Sequence, residues 1–425
     1  MPNRRLPVRP DLEQLRHQAK DLLREMHAGD ISALADLAQF HLHPIDPAQA
    51  TLADAQLVLA RSYEAESWPR LVHACELVDA IWRDDVHAVR DLVRTYPNLL
   101  HEHALVRTNS NWGPPMSYAA NLGRDQIIDA LLELGATDLE TAVGRATLQG
   151  RVETARRLHQ RLGAPTPAAE SLGGPAYTLS VPGTELMLEL GAPVRDAQGR
   201  GIAPVDVVLE SDSRNPAAKH AILEMYVAHG LELPDTPAMA LHRGRIDLLE
   251  QHLRRDPSLL RRTFTFAEIY PPELGCHDEV LATHGTPLGG TTLLHMCVDY
   301  DELAIARWLL DRGMEVDEPA DVDGDGFGGH TALFATVVSQ PAFWMNHRGG
   351  PFDAPFAALL LEHGANPNAR ASLRKQLHPG YGADVLREYR DVTPLSWGER
   401  FVFKKLVSEP AMRLIAGHGG HGGHA

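Results

Sequence analysis

The strongest constraint on this chain is internal repetition. A short apolar box headed by Thr or Ser, a small-residue turn, a second apolar segment ending in Leu-Leu, and then a Gly recur along most of its 425 residues. The clearest copy runs from Thr291-Thr292-Leu293-Leu294-His295 to Leu309-Leu310-Asp311-Arg312-Gly313. Another runs from His330-Thr331-Ala332-Leu333 to Leu360-Leu361-Glu362-His363-Gly364, and Asp391-Val392-Thr393-Pro394-Leu395 restarts the pattern. Weaker copies close at Gly135, Gly163, Gly191 and Gly230, and the last at Gly417. Each signal has a physical reading: Thr caps the first helix, Pro suits its first turn, and Gly supplies a left-handed C-cap after the second. Two short helices cannot bury their own apolar face, so such units stack into a solenoid.

The box Thr-Thr-Leu-Leu-His at 291–295 and the ending Leu360-Leu361-Glu362-His363-Gly364-Ala365-Asn366 resemble the ankyrin repeat. The resemblance covers residues 79–417 in eight or nine units, with spacings that depart from the family period of about 33. It implies an all-α ankyrin-repeat solenoid of stacked helix pairs with finger hairpins between them. It also implies that His295 bonds across neighbouring repeats, and that the protein grips a protein or peptide partner.

Ahead of the array, Leu12, Leu15, Ala19, Leu22, Leu23 and Met26 recur at three- and four-residue steps, one apolar helical stripe bounded by Asp11 and Gly29. Residues 1–78 read as an N-terminal helical cap, which a solenoid needs to cover its end repeat. The segments LEQLRHQAKDLLR and ARSYEAESWPRL resemble a helical segment found ahead of ankyrin repeats in bacterial proteins. The tail from 418 to 425, rich in Gly and His, reads as disordered.

Aromatic residues make up only 6% of the chain, which suits helices packed on Ala and Leu. A net charge of −16 argues against a nucleic-acid surface, because phosphate binding needs Lys and Arg. It favours a basic partner instead. Three scattered cysteines, Cys75, Cys276 and Cys297, form no CxxC pair, as in reduced cytoplasmic proteins. No run of about 18 apolar residues predicts a membrane span.

Three enlarged loops, 264–291, 321–330 and 339–356, are where chemistry would sit, because loops carry function more often than the scaffold beneath them. If they project from one side, as fingers do, they wall one groove. Its candidate lining is His277, Asp278 and His284 from the first loop, His330 from the second, and Trp344, His347 and Arg348 from the third. Trp112 is a further candidate in an earlier repeat. Asp321, Asp323 and Asp325, followed by Gly326, open like a loop for calcium or another divalent cation. The position where such a loop places its closing Glu is Ala332, so a solvated hairpin competes with the metal reading. Two functions stay open. One is a binding module holding a protein or peptide in its groove. The other is an enzyme or small-ligand binder whose His- and Asp-rich fingers carry hydrolase-like chemistry.

Overall fold

The structure is a computed structural model and describes residues 4–107, 110–211, 214–279, 285–338, 353–376 and 385–422. Two units divide the chain, Met1–Thr166 and Pro167–Ala425.

The first unit opens on Leu12–Ala28, whose N-cap Asp11 accepts from the Glu13 and Gln14 amides and whose C-cap Gly29 is left-handed at φ 73°. Leu15, Ala19, Leu22 and Met26 of the expected stripe are buried against Leu37, Leu59 and Leu71. The helices Ile31–Phe40 and Leu52–Ser62 complete that cap core, the latter started by a reciprocal Thr51–Asp54 capping box. The expected boundary at 78/79 falls inside Trp68–Trp82. Leu77, Val78, Ala80 and Ile81 of this helix are all buried, so cap and first repeat share it. Three helix pairs follow: Trp68–Trp82 with Val86–Thr95, Pro115–Leu122 with Asp125–Glu133, and Leu139–Leu148 with Val152–Arg161.

The second unit continues in the same style. Its pairs include Pro237–His242 with Ile246–Arg255, Leu293–Tyr300 with Leu303–Asp311, Ala332–Val337 with Pro355–Glu362, and Pro394–Arg400 with Glu409–Gly417. The glycines expected to end second helices do so by taking positive φ: 100° at Gly135, 93° at Gly163, 97° at Gly191, 95° at Gly230, 88° at Gly313 and 85° at Gly364. At the last copy the left-handed residue is Gly419, not Gly417. The tail beyond it is ordered as far as it is described. Asn368 donates to the Gly419 carbonyl at 2.9 Å and accepts from the His421 amide at 2.9 Å.

Between helix pairs the fingers pair edge to edge. Phe264 bridges Thr291, the Asp321 amide donates to the Gly290 carbonyl, and Gly328 bridges Ser372. Strand β1, Ala371–Lys375, then pairs antiparallel with β2, Arg387–Val392. This two-stranded ribbon is an addition to the expected all-helical array. Gly328 is required here: at φ 123° a Cβ would lie 1.8 Å from the Asp321 carbonyl oxygen. Most of the loop 339–356, residues 339–352, lies outside the described residues; in the sequence it falls between Ala332–Val337 and Pro355–Glu362.

Candidate functional site

The paired fingers of the second unit border an open cavity of about 620 Å³. Phe266, Phe327, Leu373 and Leu386 give it apolar walls, and Glu279, His330, Arg374 and Lys375 give it polar ones. The local sequence explains the frame. Thr265 and Glu268 cap the short helix Phe266–Ile269 reciprocally, and the Phe266 ring stacks on Tyr270. Strand β1 alternates, with Ala371, Leu373 and Lys375 on its buried face.

Two histidines join this frame to the repeats. His295 Nδ1 accepts from the Thr292 amide at 3.3 Å, and its Nε2–H donates to the His330 carbonyl at 3.0 Å, the bond between repeats that the resemblance implied. His330 donates in turn from Nε2 to the Pro287 carbonyl at 3.0 Å, which leaves Nδ1 as a bare acceptor without a protein partner. Burial holds both rings neutral, pushing His295 down to about 3 and His330 to about 4. His330 was a groove candidate, and it lines the cavity as a neutral ring. Replacing His295 with Ala removes one inter-repeat bond and a helix cap at a buried site. We expect a loss of about 2 kcal/mol in urea unfolding, whereas no loss would show the bond to be incidental.

The acidic finger is held by protein groups. Asp323 accepts from the amides of Asp325 and Phe327, an Asx turn, and backbone bonding from Phe327 lowers its pKa against burial. Arg374 reaches Asp323 at 2.6 Å and Asp325 at 2.9 Å, while Asp321 accepts from the Thr263 hydroxyl at 2.9 Å. Asp323 and Asp325 thus share Arg374 while Asp321 turns to Thr263, and among the described residues no group of three or more His, Cys, Asp or Glu side chains is placed to hold a metal. Arg374 bridges Asp323 and Asp325. Phe327 packs beside it, with the Arg374 and Arg390 guanidiniums 4.9 and 4.3 Å from its ring centre.

The other sequence candidates are dispersed. His277 pairs with Glu210 at 2.6 Å, which raises its pKa, and it does not line the cavity; Asp278 beside it is exposed. Trp112 belongs to the first unit, where its ring lies 5.0 Å from Tyr118 and 5.5 Å from the Arg145 guanidinium. His284, Trp344, His347 and Arg348 lie outside the described residues. Of the named candidates the cavity thus brings together Asp321, Asp323 and His330.

Sequence reasoning missed Lys375. It is only 5% exposed, its Nζ has no hydrogen-bond partner, and burial pulls its pKa down to about 8. The available signal was the alternation Ala371, Leu373, Lys375, which places a lysine where a strand buries its side chains. It also missed a buried charge cluster. Arg214 pairs with Asp299 at 3.1 Å and Lys219 with Glu302 at 3.1 Å, both cations lying over the Tyr300 ring. Those charges satisfy one another. Around a second cavity of about 420 Å³, Asp235 lies within ion-pair distance of His252 and Arg255, and Glu268 pairs with Arg262.

No protein-family model matches the chain. No curated protein matches it either. Among solved structures, the chain is similar to the crystal structure of the human ASB11 ankyrin repeat domain, at 15% identity and a TM-score of 0.26, covering 73% of this chain and 99% of that one. A likeness this weak adds nothing to the helix pairs, glycine caps and fingers described above.

Proposed function

We propose that the chain is a binding module whose finger cleft holds a segment of a partner protein or peptide. Stacked helix pairs with projecting fingers offer surface for a partner, and His277 and His330 stand apart. One observation carries the reading. Val322 and Leu386, 61% and 52% exposed, are distant in sequence yet both line the cavity that also contains Phe266 and Phe327. Apolar side chains gathered in the open around a concavity mark a surface that becomes covered. The net charge of −16 steers basic partners toward this molecule at long range, and the cleft then fixes the contact.

The test is native mass spectrometry of the full chain purified gently from its own cells. A stoichiometric second polypeptide is expected with the wild type and with Ile31→Asp, an equally polar change at a site 86% exposed in the cap. It is expected to be lost with Val322→Asp. A partner that survives Val322→Asp, or no second polypeptide at all, contradicts the assignment.

A further inference from the structure

The cavity carries a more specific message at Lys375. A buried ammonium is normally paired, because an ion taken out of water needs hydrogen bonds and countercharge in return. Lys375 has neither at close range: its Nζ makes no hydrogen bond, and among the described residues no carboxylate lies within 4 Å in an ion pair with it. The acids that act on it from a distance are Glu279 and Asp299, and both are engaged elsewhere. Glu279 accepts from the Leu288 amide at 3.1 Å, and Asp299 pairs with Arg214 at 3.1 Å. Of the other charged groups on the cavity wall, Arg374 is held by Asp323 and Asp325, Asp321 by Thr263, and His330 is neutral. Among the described residues, Lys375 Nζ and His330 Nδ1 are thus a cation without an ion-pair partner and an acceptor without a donor, both buried at the wall of the cavity.

We propose that this cavity is a binding site for a carboxylate carried on an apolar body, with Lys375 as its anchoring charge. The proposal rests on the reading of the cleft as the binding face and names the chemistry of the group that enters it. A monovalent anion fits better than a phosphate, because a single lysine stands there with Glu279 close by, and a dianion would meet that carboxylate. Phe266, Val322 and Leu386 suit an aromatic or aliphatic body, and about 620 Å³ is room for a small molecule or the last residues of a peptide. A donor next to the carboxylate, such as the amide N–H of a C-terminal residue or a hydroxyl, would meet the acceptor at His330 Nδ1. The carboxylate has two sources, a polypeptide terminus and a free small acid.

The experiment is calorimetric titration of the full chain with three probes: 4-phenylbutyrate, N-acetyl-glycyl-phenylalanine as the free acid, and the same dipeptide as its amide. The free acids are expected to bind, the amide at least about tenfold more weakly, and Lys375→Met is expected to abolish acid binding. Affinity should fall as the pH rises through about 8, where free Lys375 loses its proton and binding must restore it. Preference for the dipeptide acid points to a polypeptide terminus, and preference for phenylbutyrate to a free acid. Equal binding of acid and amide overturns the proposal, as does undiminished acid binding by Lys375→Met. So does no binding by any probe up to about 10 mM, ten times the concentration that half-fills a millimolar site. Retention of the co-purifying polypeptide by Lys375→Met, with acid binding lost, would separate this site from the partner-binding reading.

Discussion

The carboxy-terminal unit is expected to lose about 6 kcal/mol of stability between pH 7.5 and pH 5 from three histidines alone. His242, His295 and His330 are each enclosed and held neutral, with pKa values pushed down to about 3, 3 and 4 by burial. His242 donates from Nε2 to the Ile269 carbonyl at 2.9 Å and meets Tyr300 edge-on. In the unfolded chain these rings titrate at an ordinary value of about 6.5. A depressed folded-state pKa means that the unfolded chain takes up the protons first. The stability is therefore complete above about pH 6.5 and drains away as the pH falls toward the folded-state values. Each ring contributes about 2 kcal/mol of loss by pH 5, and the sum rivals the whole stability of a typical domain. His277, raised by Glu210, has the opposite sign, but it stands largely in solvent. Urea midpoints measured from pH 7.5 to 5, with imidazole proton resonances followed in parallel, check this. Three rings that stay neutral in the folded protein at pH 5.5 are expected; three that titrate near 6.5 with a flat stability profile would contradict it.

The second large effect has the reverse direction: Lys375→Met should stabilise the protein by about 3 kcal/mol at pH 7. Burial lowers the lysine from an ordinary 10.5 to about 8, so at neutral pH the folded protein carries an ammonium that it holds less favourably than water does. Because the folded pKa is depressed, the wild type recovers stability as the pH rises from 8 to 10.5, and the advantage of methionine shrinks over that window. A gain in packing alone would not fade with pH. A stabilised variant that has lost acid binding is the pattern of a functional residue kept at a cost in stability. A destabilised Lys375→Met variant would instead make the lysine part of the scaffold.

The scaffold was legible because its signals are local. Gly135, Gly163, Gly191, Gly230, Gly313 and Gly364 each stand where a second helix must end, and each takes the left-handed conformation its position demands. His295 was readable for the same reason, since the box Thr292 to His295 closes on itself before it reaches the next repeat. The ion pairs of the acidic finger are invisible in the loop's own sequence because their partner is remote. Arg374 lies 51 residues from Asp323, and no pattern within the loop announces a guanidinium between its carboxylates. Strand β1, Ala371–Lys375, offers only five residues of alternation, too few to announce a strand by itself. The pairing of β1 with β2 and of Gly328 with Ser372 sets the register that places Arg374 beside the acidic finger and buries Lys375. Charge pairs such as Arg214–Asp299, 85 residues apart, are invisible for the same reason.

The central claim is that the finger cleft of the second unit is the face that meets a partner. Site-specific photocrosslinking in the protein's own cells tests it most directly, with a benzophenone amino acid placed at Val322 in the cleft or at Ile31 in the cap, both exposed. The account predicts one discrete crosslinked polypeptide from Val322 and none of that size from Ile31. The same product from both positions, or none from Val322, would contradict it.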